Sequence, residues 1–282
     1  MGGSLARAVK EAGLPWRVRG ADRDPSTLSR AVAAGAIDEA ADDLTTAGRG
    51  ARLVVIALPV LSVPDAVSAL APGLEPGAVL TDVGSTKLGL IRRVEEVLPP
   101  GVAFVGGHPI AGTEDSGFEA SFAGLYRGAR FLITGGARST PEAVDLVRSL
   151  WESLGARVET IDAATHDRVF AVISHLPHVV AYALVNAAAR ADAGLPGLLS
   201  YTGGGFRDFT RIAASQPAMW RDICLDNRDE VLPAIDEFLA ETRRLRALIA
   251  AGDGAGLEAA FAAARVVRRA LAEAPPRAEG RA

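Results

Sequence analysis

The sequence predicts an α/β domain over residues 1–161, an all-helical domain over residues 162–274 and a polar tail over residues 275–282. Two patterns carry this. Up to about residue 162, short apolar runs alternate with amphipathic stretches of helical length, which implies a parallel sheet covered on both faces. Beyond it no strand pattern recurs, and apolar residues repeat at helical spacing. The length of 282 residues suits one large domain or two of ordinary size.

Strands are expected at residues 17–21, 52–58, 78–83, 102–106, 129–134 and 157–161, with helices at 4–12, 25–34, 63–70, 87–97 and 141–154. Leu53-Val54-Val55-Ile56-Ala57-Leu58 is apolar throughout, as suits a central parallel strand buried on both sides. In the second half, residues 163–193 read as one long apolar helix bent near Pro177. Further helices are expected at 209–214, 217–246 and 254–271. Val231, Ile235, Phe238, Leu239 and Leu245 mark the apolar face of the second of these. Gly252-Asp253-Gly254 breaks the pattern before the last helix, and the tail from Pro275 is expected to fray.

Composition excludes several function classes. Net charge is −4, with 30 basic and 34 acidic residues mixed along the chain, so no basic patch points to nucleic acid or a membrane surface. Cys224 is the single cysteine, which rules out an internal disulfide or a multi-cysteine metal site. Its apolar helical context suggests a buried structural thiol. Apolar runs such as residues 53–60 are too short to span a bilayer. Met1-Gly2-Gly3-Ser4 lacks the basic and apolar regions of a signal peptide. The expectation is a soluble cytoplasmic protein.

Chemistry-bearing residues gather at the ends of the expected strands, where open α/β sheets bind ligands. Gly2-Gly3-Ser4 opens the first helix, and Asp22 ends the next strand twenty residues after Gly2. That spacing fits the last glycine of a dinucleotide fingerprint and the acidic residue that binds the adenosine ribose. The alternative is an ordinary helix cap. A full fingerprint needs a strand and two more glycines before Met1, so the domain is expected to lack its first strand, with Met1 an internal residue of the natural protein. Asp22 favours NAD over NADP, with Arg23 beside it tempering the preference. Leu58-Pro59-Val60 and Asp82-Val83-Gly84-Ser85-Thr86-Lys87 follow the next two strands; Ser85 or Thr86 could equally cap a helix.

The third loop is Gly106-Gly107-His108-Pro109-Ile110-Ala111-Gly112-Thr113-Glu114. Proline keeps His108 extended, and the glycines permit close approach. A histidine fixed there is a natural proton acceptor near neutral pH, although a histidine that only shapes a turn is the plainer reading. In the helical half, His175 and His178 lie three residues apart on one helix face. No carboxylate or cysteine accompanies them at ligand spacing, so no metal site is expected. Residues 203–205 are three glycines, read as a mobile or closely approached loop, and Arg207 and Arg211 flank Asp208. Arginine suits a carboxylate ligand. His166, in a polar helix start, reads as structural.

With these motifs in view, the chain resembles the prephenate and arogenate dehydrogenases, NAD(P)-dependent enzymes of tyrosine biosynthesis. The resemblance runs from Met1 to about Leu271 and rests on residues 82–87, 107–112, 174–178 and 203–213 with Trp220, in the family's order. It implies a Rossmann-like nucleotide-binding domain followed by a helical dimerisation domain, hence a homodimer. It implies that His108 takes the proton of the substrate's ring hydroxyl and that Ser85 supports histidine and substrate. Arg211 would pair with a substrate carboxylate. His178, His175, Thr113, Glu114, Gly204, Asp208 and Trp220 would line or brace the substrate pocket. Gly2, Gly3, Ser4, Asp22, Leu58, Pro59, Val60 and Ser85 would face the cofactor. Two other readings are another two-domain β-hydroxyacid or imine dehydrogenase and an inactive paralogue. The former usually relies on a lysine in the helical domain, and residues 163–282 contain none.

Overall fold

The structure, a computed structural model, describes residues 1–112 and 115–273. The chain opens with α1 (Gly2–Glu11), β1 (Arg19–Gly20), α2 (Pro25–Ala33), β2 (Glu39–Ala40) and α3 (Leu44–Gly48). Asp24 and Asp43 start α2 and α3 by accepting hydrogen bonds from the Ser26 and Thr46 backbone amides at 2.9 and 2.6 Å. β1 and β2 form a parallel pair of their own. β2 and α3 escape the sequence pattern because they are only two and five residues long.

The main sheet follows: β3 (Leu53–Ile56), α4 (Val63–Leu70), β4 (Val79–Asp82), α5 (Leu88–Val97), β5 (Ala103–Ile110), β6 (Arg130–Thr134), α6 (Pro141–Ser153) and β7 (Arg157–Thr160). Its order is β3-β4-β5-β6-β7. The sheet is mixed rather than parallel throughout, because β6 runs antiparallel to β5. Among the described residues their connection carries a short 3₁₀ turn (Ala123–Tyr126) and no crossover helix of the kind a parallel return requires.

β3 differs from the expected central strand. It is an edge of the five-stranded sheet, and Leu53, Val54 and Val55 are half-buried. Its apolar run has another reason: both faces are covered. Leu53 and Val55 pack into the cluster that includes Leu5, Val9 and Trp151, while Val54 and Ile56 join the cluster of Val67, Leu80 and Leu90. Exposure enters through the open edge alone.

The helical half comprises α7 (Ala163–Phe170), α8 (Leu176–Gly194), α9 (Gly204–Thr210), α10 (Pro217–Asp226), α11 (Arg228–Ala251) and α12 (Gly254–Glu273). The bend expected near Pro177 is a π turn, Ala171–His175, between α7 and α8. Pro177 has no N–H to give, and the widened turn accommodates the gap. The glycine run is no loop, since Gly204 and Gly205 begin α9. The helix expected over 217–246 divides at Asn227, where one segment ends and α11 starts. Cys224 is only half-buried.

The whole segment Ala163–Gly194 is 32 residues long and apolar enough to cross a membrane by length and composition, contrary to the sequence expectation. Its polar residues His166, Asp167 and His175 are buried, Asp167 against the first domain, while 22% of its apolar window is buried.

Candidate active site

The carboxyl ends of β4 and β5 meet around one buried carboxylate. Asp82 Oδ2 accepts from the Gly84 amide at 2.8 Å, and Oδ1 accepts from the Gly107 amide at 3.0 Å. The Lys87 ammonium also donates to Asp82, and both side chains are 0% exposed. Asp82 thus ties the β4–α5 loop to the strand that carries His108. Only glycine fits at Gly107: a Cβ there would stand 2.5 Å from the Asp82 carbonyl oxygen and 2.5 Å from the Phe131 ring.

His108 lies within β5, not in a loop after it, opposite Leu132 of β6. β5 pairs with β4 only through residues 103–105 and with β6 from residue 106 onward. Pro109 therefore sits where the strand has a single neighbour, which is where a sheet tolerates a missing N–H.

The His108 ring is buried and its partner comes from the helical domain. Its Nδ1 is 2.8 Å from Nε2 of His166, and Nδ1 of His166 is 2.8 Å from Oδ1 of Asp167. Phe170 packs on both rings, with centroids at 4.7 and 4.5 Å. Asp167 also accepts from the Lys87 and Leu88 amides at 2.8 and 2.9 Å, capping α5 from across the domain boundary. Neither Ser85 nor Thr86 performs that cap; the Thr86 hydroxyl donates to Asp226, as does Arg93. His166, expected to be merely structural, is thus His108's direct neighbour.

Asn227 closes the arrangement. Its amide donates to the Asp167 carbonyl at 2.8 Å and faces Nδ1 of His175 at 3.1 Å. His175 is fully buried, and the Ser85 carbonyl favours its proton. Its Nδ1 faces Asn227 and its Nε2 is buried without a hydrogen-bond partner among the described residues. Ser85 itself is half-buried, and no hydrogen bond joins it to His108 among the described residues.

Burial, more than any neighbour, disfavours the imidazolium throughout. It holds His108 well below the usual histidine range, and His166, Lys87 and His175 oppose a further positive charge beside them. It lowers His166 against the opposing pull of Asp167, and brings His175 down to about 4. The neutral ring, the form that can accept a proton, is the resting form of His108.

A second group sits beside this one. His178 stacks on Trp220 with centroids 3.4 Å apart, and its Nδ1 is 2.9 Å from the Ser174 carbonyl. Burial lowers its proton affinity first, and the Arg211 charge lowers it further. Trp220 packs with Val60, so the loop after β3 reaches the helical domain. Arg211, Gly204 and Asp208 are exposed on or just after α9. Thr113 and Glu114 lie outside the described residues.

On the nucleotide side, α1 has no side-chain cap, so its first amides stay available. A Cβ on Gly2 would stand 3.2 Å from that of Ala57, and one on Gly3 would stand 3.0 Å from the Ser121 hydroxyl. Ser4 is buried and accepts from the Phe122 amide at 3.3 Å. Asp22, Leu58 and Pro59 are exposed, while Val60 is buried. No group of three or more potential metal ligands occurs among the described residues.

Comparison with known proteins places this arrangement. Residues 5–160 match the nucleotide-binding domain of prephenate dehydrogenase, and residues 162–263 match its dimerization domain. The chain belongs to the prephenate dehydrogenase family. It is 36% identical to a cyclohexadienyl dehydrogenase from Zymomonas mobilis, over 96% of this chain and 92% of that one. It is 36% identical to a prephenate dehydrogenase from Bacillus subtilis, over 96% and 73% of the two chains. Among solved structures, the prephenate dehydrogenase of Aquifex aeolicus in complex with hydroxyphenyl propionate and NAD⁺ superposes with a TM-score of 0.89. That pair is 37% identical, covering 95% and 94% of the two chains.

His166, Asp167, Asn227, Lys87 and Asp82 are the residues that sequence reasoning missed as site members. One signal existed for the first two. His166-Asp167 is a polar pair followed, after Arg168, by the apolar run Val169-Phe170-Ala171.

Proposed function

We propose that the protein carries out the NAD-dependent oxidative decarboxylation of prephenate, of its amino counterpart arogenate, or of both. The observation that carries this reading is the buried neutral His108, seated beside the β4–α5 loop in a chain of this family. Several features fit a dinucleotide: the uncapped start of α1, the absence of side chains at Gly2 and Gly3, and the exposed Asp22 carboxylate at the end of β1. Gly2, Gly3 and Ser4 would face the pyrophosphate, Asp22 the ribose hydroxyls, and Leu58, Pro59, Val60 and Ser85 the nicotinamide side. NAD suits Asp22 better than NADP does. When bound, the cofactor supplies the acceptor for the hydride that leaves C4 of the ring.

The residues of this chain do the rest. His108 accepts the proton of the C4 hydroxyl: the O–H bond breaks, an N–H bond forms, and the oxygen keeps the electron pair for the new C=O. Loss of the C1 carboxylate as carbon dioxide returns its C–C pair to the ring, the C=O pair moves onto oxygen, and that oxygen recovers the proton from His108 to give a phenol and the neutral base. Arg211 orients the substrate through a carboxylate, where small misplacement is costly. His178 and Trp220, stacked on one another, would brace the side of the pocket that holds the ring.

We read the helical domain as the site of homodimerisation. An apolar groove of about 260 Å³ between α8 and α11 is lined by Leu176, Val180, Leu184, Ile235, Phe238 and Leu239. Ile249, Phe261, Val266 and Val267 are more than half exposed. Sedimentation velocity is expected to give a dimer; a monomer at micromolar concentration would overturn this part. We place the protein in the cytoplasm as a soluble enzyme.

The test of the function is direct. Purified protein with NAD and prephenate, or arogenate, is expected to form NADH together with 4-hydroxyphenylpyruvate or tyrosine. Absence of NADH with both substrates would overturn the reading.

A further inference from the structure

We infer that His166, oriented by Asp167, is a positioning residue that fixes the ring proton of His108 on Nδ1 and so reserves Nε2 as the base. The inference rests on the reading of His108 as the proton acceptor. What carries it is a count of hydrogens along an unbroken chain of contacts.

The chain starts at Asp167. Its Oδ1 accepts from the Lys87 amide at 2.8 Å and its Oδ2 accepts from the Leu88 amide at 2.9 Å. A carboxylate so engaged acts as an acceptor, and the atom 2.8 Å away, Nδ1 of His166, must donate to it. A neutral imidazole carries one N–H only. Nε2 of His166 is therefore a lone pair, and it faces Nδ1 of His108 at 2.8 Å. Nδ1 of His108 must then carry the proton. The opposite tautomer would set two lone pairs against each other at that distance in a buried place. Nε2 is the only position left to receive a proton from a substrate hydroxyl.

The same chain serves the charged state. When Nε2 gains the substrate proton, positive charge spreads over the His108 ring, and its Nδ1–H points at a lone pair backed by a carboxylate one ring away. No covalent or redox step is added; His166 acts through His108 and never meets the substrate. Asp167 is a poor place to test this, because removing its carboxylate also uncaps α5. His166 makes no such backbone contact through its ring.

The experiment has a spectroscopic arm and a kinetic arm. In wild-type protein, long-range ¹H–¹⁵N correlation of the histidine rings is expected to show His108 protonated at Nδ1 and bare at Nε2. A proton on Nε2 would overturn the inference. The measurement needs no substrate, so it stands even if the assay for prephenate or arogenate oxidation fails. In the kinetic arm, His166→Phe removes the acceptor, and kcat is expected to fall by about 10²–10⁴-fold, the contribution of a positioned general base, with KM little changed. His166→Gln offers an amide oxygen to the same N–H and is expected to recover most of that loss. Wild-type kcat in His166→Phe, or equal loss in both variants, would overturn the inference while leaving the role of His108 intact.

Discussion

Replacing His108 with asparagine is expected to lower kcat by about 10²–10⁴-fold, the range a positioned general base contributes, with binding of NAD preserved. The reasoning is local. Asparagine keeps a polar group of similar reach in a place that is 8% exposed, so β5 and its ladder to β6 are retained. It has no lone pair basic enough to take the hydroxyl proton. The residues proposed to face the cofactor, at α1, Asp22 and the loop after β3, are on elements other than β5. NADH formation followed at 340 nm reads the loss, and titration calorimetry with NAD reads the retention. Turnover near that of the wild type would remove His108 from the mechanism. A companion expectation follows from its lowered proton affinity. Because burial keeps the folded ring neutral below the usual histidine range, the acid limb of kcat/KM is expected below pH 6.5, and activity should hold as pH falls through that value.

The second large effect concerns stability. Lys87→Ala is expected to destabilise the protein by about 3–5 kcal/mol, the cost of leaving a buried charge without its partner. Lys87 and Asp82 are both fully buried, so solvent cannot replace the lost ammonium. The consequence spreads through the carboxylate, which also holds the Gly84 and Gly107 amides. Urea denaturation monitored by tryptophan fluorescence gives the value directly. A loss of about 1 kcal/mol or less, typical of an exposed pair, would show that the pair is not a structural centre.

The order of elements and the position of His108 were legible because they are written in short-range patterns. α4 has the boundaries that the apolar spacing predicts, and α6 differs from expectation by one residue at its end. His108 announced itself through Gly106, Gly107 and Pro109, all adjacent. The relay did not, because His166 is 58 residues away and meets His108 only when α7 packs against the sheet. A polar pair at a helix start looks the same whether it faces solvent or a catalytic ring. β5 was cut short in the sequence reading for a related reason. Proline at residue 109 argues against a strand with two neighbours, and nothing local tells that β4 has already ended its pairing at residue 105. The apolar run of β3 likewise reported both covered faces correctly and said nothing about its open edge.

Asp167 links two events that are usually separate: it caps a helix of the first domain and, through His166, sets the ring of the base. Asp226 adds a second tether nearby, held by Thr86 and Arg93. Both tethers join the two domains at this one point. A swing that parted them would strip α5 of its cap and deprive His108 of its acceptor in the same motion. Any motion that keeps both contacts must leave α5 and α7 together.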